Sequence, residues 1–335
     1  MYSFDSFIGN DQIIKSLRNA IASGRAAHAY IICGGEGSGT TALAKTIAKT
    51  VQCERRSVYN TDPCMSCVSC RTFDSGSHPD VINVLPTNRK SVGVEDVREQ
   101  INKSVCIKPY KYDHKIYIIK DADTMTPAAQ NALLKTLEEP AGYGFFLLTS
   151  KNLAGFLPTV LSRCVVVKLR PVADALIKEY LIAVGFTEED AELYSFCAHG
   201  GVGTALKRRN DENFIAAREL AIETVYTRLA PGVKKSPRAA FEAAALFEPF
   251  KDNIQEVLDM LSALYRDILV YKTTGDESLL TERGRAKETA AAAAGASVKD
   301  LIKKLDAVRA AGIKLNYNAN FTMTMDMLAL SVMEA

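Results

Sequence analysis

Apolar residues follow two rhythms along this chain, and the change falls near residue 171. Before it, short unbroken apolar runs alternate with stretches whose apolar positions recur every three or four residues. His28-Ala29-Tyr30-Ile31-Ile32-Cys33 reads as a buried strand, followed by a helix over 41–51 with Leu43, Ile47 and Val51 on one face. Val81 to Leu85 reads as a strand ended by Pro86, 94–105 as a helix, and Lys115 to Ile119 as a strand. A helix over 127–139 has Pro127 in its first turn, Thr126 as N-cap and Pro140 as terminator. Phe145 to Thr149 and Val165 to Leu169 add two more apolar strands. Strands alternating with helices predict a parallel sheet with helices on both faces. After Pro171 the strand signal stops. Three short helices are expected over 173–210, broken near Gly185 and at Gly200-Gly201. Longer helices follow over 212–335, one with Phe214, Ile222, Val225 and Leu229 on one face. Loops are expected from Pro231 to Pro237 and from Thr273 to Gly284, and the run Ala290 to Ala294 favours helix. The predicted fold class is α/β, then all-α.

Composition sharpens this only a little. A chain of 335 residues, 47% hydrophobic and 24% charged, is long enough for two or three domains with cores. No apolar run has the length of a membrane span, and the N-terminus lacks the apolar stretch of a signal peptide. The cytoplasm is the expected compartment. A net charge of +2 supplies no global field toward nucleic acid.

The first chemical signal lies directly after the first strand. Gly34-Gly35-Glu36-Gly37-Ser38-Gly39-Thr40-Thr41 matches the phosphate-binding loop G-x-x-x-x-G-K-[ST] at Gly34, Gly39 and Thr41. Thr40 stands in the lysine position, where it is uncharged and too short to reach a γ-phosphate. In ATPases of this type a strand ends in an acidic pair that holds Mg²⁺ and polarises water. The matching strand here runs into Lys120-Asp121-Ala122-Asp123, with Lys120 at the metal-binding position. Two separate charge-handling groups are therefore altered, which argues against hydrolysis. Backbone N–H groups of the loop, with Gly37 in its middle, could still hold a phosphate, so nucleotide binding without turnover stays open.

The second signal is Cys53 with Cys64-x-x-Cys67-x-x-Cys70, four of the eight cysteines within eighteen residues. C-x-x-C spacing lets two sulfurs reach one tetrahedral ion, so a closed structural zinc site is expected. An iron–sulfur cluster is the weaker alternative. Cys33, Cys106, Cys164 and Cys197 are dispersed and read as reduced small hydrophobes. His28 reads as a packing residue, while His78 and His114 lie in polar loops without an assignable role.

Several longer segments resemble the clamp-loader branch of the AAA+ proteins. They are Phe4 to Gly9 with Gly24 to Tyr30, the four-cysteine module, Asn131-Ala132-Leu133-Leu134-Lys135-Thr136-Leu137-Glu138-Glu139-Pro140, Ser162-Arg163-Cys164, and Tyr265-Arg266-Asp267. The resemblance implies a RecA-like AAA+ domain over 1–170 with a zinc module at 53–78, a helical lid over 171–211, and a helical collar over 212–335. It implies assembly with gamma/tau and delta subunits of DNA polymerase III into a hetero-pentamer that loads a sliding clamp onto primed DNA. Within the branch, the ATP-hydrolysing gamma/tau type keeps the loop lysine, the Mg²⁺ aspartate and a lid arginine. Here Thr40, Lys120 and Gly203 stand in those places, which favours the non-catalytic delta-prime type. The same resemblance gives Arg163 the role of an arginine finger acting in trans on a neighbouring ATPase; the alternative is an intramolecular salt bridge. Other classes to be separated are an ATPase with a lysine-free loop and a stand-alone zinc-dependent nucleic-acid binder. Lys135 and Arg98 read either as DNA-phosphate contacts or as basic residues that solvate a face, Glu138 and Glu139 equally as solvated helix-end charges or as functional residues, and Leu133, Leu134 and Leu137 as core.

Overall fold

In a computed structural model, residues 2–57, 61–87, 91–230 and 236–334 are described. The expected loop at Pro231 to Pro237 lies largely outside them. The chain divides into two compact units, residues 1–176 with 200–204, and residues 177–199 with 205–335.

Unit 1 is built on five parallel strands in the order β2-β3-β4-β1-β5: β1 Ala29–Cys33, β2 Val81–Val84, β3 Lys115–Ile119, β4 Gly144–Ser150 and β5 Val165–Lys168. The central strands β3 and β4 are buried at every position, as continuous apolar runs predict for a sheet covered on both faces. Side chains alternate between those faces. Ile31, Tyr117, Ile119, Phe146 and Leu148 enter one core. Tyr30, Ile32, Ile116, Ile118, Phe145 and Leu147 enter the other.

The helices of unit 1 are α1 (Asp11–Ala22), α2 (Thr40–Val51), α3 (Val68–Asp74), α4 (94–105), α5 (Pro127–Glu138) and α6 (Pro158–Leu161). Helix α4 carries a π-helical turn at Arg98–Asn102. The N-cap of α5 is Thr126, whose side chain accepts from Ala129 N–H. Leu133 and Leu137 are fully buried and Leu134 is half-buried against the same core. A buried carboxylate shapes the loop before β3. Asp80 accepts from Tyr110, Lys111 and Tyr112 N–H at 2.5, 2.9 and 3.0 Å.

Unit 2 is helical. The segment between the sheet and the long helices holds α7 (Asp174–Ala183), α8 (Glu188–Phe196) and α9 (Val202–Lys207), the three short helices expected there. Then come α10 (Glu212–Glu223, running into a π-helical turn at Thr224–Arg228), α11 (Pro237–Ala245), α12 (Ile254–Thr274), α13 (Ala286–Gly295), α14 (Val298–Asn316) and α15 (Phe321–Glu334). The Tyr265-Arg266-Asp267 segment on α12 is structural. Tyr265 and Asp267 are buried, and Asp267 holds the N–H groups of Thr281 and Glu282 at 2.9 and 2.8 Å. Arg266 donates to Thr281 Oγ1 and lies over the Phe196 ring. Among the described residues no helix is long and apolar enough to cross a membrane.

Candidate functional site

The glycine loop joins the carboxyl end of β1 to the first turn of α2, where open parallel sheets place ligands. Gly34 N–H donates to Ser150 O at 3.1 Å, tying the loop to the end of β4. Gly37 and Gly39 have φ of +68° and +90°, which explains glycine at both positions. Gly39 is the N-cap of α2, and the Phe7 ring lies 3.2 Å from where a Cβ on Gly39 would stand. Thr40 and Thr41 are half-buried in that first turn.

Two contacts restrain the loop further. Gly203 N–H donates to Gly37 O at 2.8 Å, and a Cβ on Gly37 would collide with Thr204. A Cβ on Gly203 would lie 3.0 Å from Gly37 O. The position expected to have lost a lid arginine is thus a close backbone contact, which the sequence reading missed. Lys151 Nζ pairs with Glu36 Oε2 at 3.1 Å across exposed surface, and this partnership raises the lysine's pKa.

At the end of β3, Lys120 is exposed and its ammonium lies 3.9 Å from Asp121 Oδ2. Asp121 has φ of +49° and donates its N–H to Thr149 Oγ1 at 3.2 Å. Asp123 accepts from Lys151 and Asn152 N–H.

The four cysteines of the cluster converge. Cys53, Cys64, Cys67 and Cys70 place their sulfurs within 4.8 Å of one another. Zn–S bonds of about 2.3 Å in a tetrahedron need sulfurs about 3.8 Å apart, and Cys64 and Cys70 Sγ lie 4.0 Å apart. Backbone N–H groups donate to the sulfurs: Cys64 to Cys53 at 3.3 Å, Cys67 to Cys64 at 3.3 Å, and Cys70 to Cys67 at 3.4 Å. Burial raises the Cys53 and Cys70 thiols, whereas at Cys64 burial is outweighed by donors from Ser66 and Cys67, leaving a pKa of about 6. Such donors stabilise thiolates, the form that binds metal. The donor set and its spacing fit a tetrahedral ion.

His78, without a role in the sequence reading, is a buried structural residue beside this module. Its Nε2 meets Ser69 Oγ at 3.1 Å, its Nδ1 accepts from Asp80 N–H, and burial lowers its pKa. His28 packs as expected, with Nε2 3.1 Å from Leu137 O.

Arg163 stands after α6, just before β5. Its guanidinium pairs with Glu138 Oε1 at 2.6 Å and donates to Thr159 O at 2.7 Å. Glu138 is therefore both a solvent-accessible helix-end charge and the ion-pair partner of Arg163. Both side chains keep solvent access, 32% for Arg163 and 46% for Glu138. Lys135 and Glu139 are exposed, and Arg98 pairs with Glu95 on the surface.

A family model described as "DNA polymerase III, delta subunit" matches residues 9–173. The delta-prime subunit of Bacillus subtilis DNA polymerase III is 29% identical over 328 residues, covering 96% of both chains. The tau subunit of the same organism is 28% identical over 305 residues, 85% of this chain and 53% of tau. The gamma subunit from Buchnera aphidicola is 32% identical over 209 residues, 61% of this chain and 56% of gamma. The chain thus spans about half the length of the gamma and tau relatives.

Proposed function

Because the chain belongs to the clamp-loader family of DNA polymerase III subunits, we propose that it is a delta-prime-type member, a non-catalytic subunit that helps load a sliding clamp onto primed DNA in the cytoplasm. The observation that carries this reading is end-to-end similarity to a delta-prime subunit, against partial similarity to gamma and tau. Its partners are gamma/tau and delta subunits in a hetero-pentamer, and it reaches the clamp and DNA through that assembly. Residues 1–170 serve as the AAA+ domain, 171–211 as a lid and 212–335 as the collar that joins the ring.

The glycine loop supports a site that does not hydrolyse ATP. Thr40 and Lys120 lack the charges needed at the γ-phosphate and Mg²⁺, and the Gly37–Gly203 contact closes on the loop. The isolated chain is expected to show no ATP turnover above buffer. Thr40→Lys with Lys120→Asp is expected to regain nucleotide binding without turnover, since Gly203 still stands in place of the lid arginine. A steady-state rate lost on Thr41→Ala would instead favour the gamma/tau-type ATPase reading. Co-purification with the other clamp-loader subunits, with ATPase measured with and without this chain, tests the assignment as a whole.

Cys53, Cys64, Cys67 and Cys70 hold a structural zinc ion in this reading. All four ligands come from protein, so the ion would stabilise the fold and leave no open position for chemistry. Elemental analysis of protein purified without chelator is expected to find about one zinc per chain. Iron with visible absorption, or no metal, would reject that assignment.

A further inference from the structure

Of the contacts between the cysteine module and the rest of unit 1, one set reaches the first residues of the chain. Asp62, two residues before Cys64, is the hub. Its Oδ1 accepts from Phe4 N–H at 2.7 Å and from Ser3 Oγ at 3.0 Å. Its Oδ2 pairs with Arg18 on α1 at 2.8 Å, and Arg18 also pairs with Asp5 and lies over the Phe4 ring. Phe4 is 1% exposed and enters the same core as Leu43 and Ile47 of α2. Tyr2 meets Phe73 of α3 edge-on at 6.0 Å, and its hydroxyl accepts from Lys45 of α2 at 3.1 Å. Three residues past Phe4, the Phe7 ring covers Gly39 at the start of α2.

A second link runs directly from module to helix. Lys49 of α2 is fully buried and donates to Met65 Sδ at 3.0 Å and to both oxygens of Asp74 at 2.7 Å. Met65 sits between Cys64 and Cys67 with φ of +58°, and Asp74 ends the helix that carries Cys70. The loss of Asp62 or Asp74 from place strands a buried N–H or ammonium, which is costly.

We propose that the four-cysteine module is a metal-dependent brace: with its ion bound, Asp62 pins residues 3–5 and so seats Phe7 against the phosphate loop. The inference rests on the zinc reading above. It follows from how few apolar side chains the module buries within itself. Among the described residues its own buried cluster consists of the four cysteines. A short polar loop of this kind draws its folding free energy from the ion. When the ion leaves, Asp62 loses its fixed position, and the N-terminal segment loses the acceptor for Phe4 N–H. Metal occupancy is thereby converted into order at the loop's first helical turn.

The test is hydrogen exchange on the full chain, with metal content measured on the same samples. Chelation should speed exchange of amides 4–9 and 39–43 at least ~10-fold, while strands β1, β3 and β4 keep their protection. Asp62→Ala should keep its zinc yet exchange fast over 4–9, and chelation should then add nothing there, because both perturbations act through one link. Zinc lost from the parent chain with unchanged exchange at 4–9 overturns the brace alone. A parent chain with no zinc overturns the metal reading and the brace together. The chelation arm needs no variant, so it decides the matter even if Asp62→Ala does not fold.

Discussion

An Arg163→Ala chain is expected to fold, bind metal and join the clamp loader, yet to lower turnover at the neighbouring ATPase site by about 10³-fold or more, the scale of a lost arginine finger. Hydrolysis spreads charge over the equatorial oxygens of the γ-phosphate, and a guanidinium matches them with two parallel donors. In the free chain that guanidinium rests on Glu138. The pair is a third to a half exposed, so its contribution to stability is at most about 1 kcal/mol, and exchanging a carboxylate for a phosphate is within reach. Glu138→Gln separates the two roles. It breaks the ion pair but leaves Arg163 intact. A finger in trans predicts near-normal ATPase for Glu138→Gln and a severe loss for Arg163→Ala. A structural pair predicts similar, mild destabilisation from both and unchanged ATPase in the assembled complex. Lysine at 163 should rescue poorly, since a point charge cannot reproduce the fork.

Asp267→Asn should cost roughly 2–4 kcal/mol of stability in urea or thermal unfolding, more than any surface change in this chain. The Asp267 side chain has no exposure. Oδ1 accepts from Thr281 N–H at 2.9 Å and Arg266 Nη1 at 3.1 Å, and Oδ2 accepts from Glu282 N–H at 2.8 Å. An amide turns a donor toward one of these N–H groups whichever way it is placed, leaving a buried donor facing a donor. The loop it holds carries Glu282, itself buried and bound to Arg218 at 2.7 Å, so the disturbance spreads to a second ion pair. Unfolding free energy within about 0.5 kcal/mol of the parent would remove Asp267 from the residues that hold unit 2 together.

Much of unit 1 was legible because its signals are local. Strands β1, β3 and β4 are unbroken apolar runs bounded by glycine, charge or proline, and their burial follows from pattern alone. Helix α5 announced both ends, with Thr126 and Pro127 at one and Pro140 at the other. The cysteine spacing pointed to convergence, which the sulfur positions bear out. Helix α1 carries the helical period at Ile14, Leu17 and Ile21 but went unread beside the stronger glycine-loop signal. Other features were hidden because they depend on distant partners. Nothing around Gly203 signals contact with Gly37, and nothing around Asp80 signals three donors from 110–112. The π-helical turn in α4 likewise has no signal in the sequence pattern. The pairing of Glu138 with Arg163 was hidden because the two are far apart in sequence.

The return of residues 200–204 to unit 1 bears on how the chain is made. On a ribosome the central strand β1 emerges early, but its neighbours β4 and β5 follow only after more than a hundred further residues. Pairings this distant in sequence are slow to close. The backbone partner of Gly37 arrives later still, after 177–199 have left the exit tunnel and can begin to coil into helices of the other unit. Synthesis therefore imposes an order: cysteine module first, sheet second, and the glycine-loop contact last. A nascent chain stalled before residue 200 would present its glycine loop without that cover, in a form the finished protein does not keep.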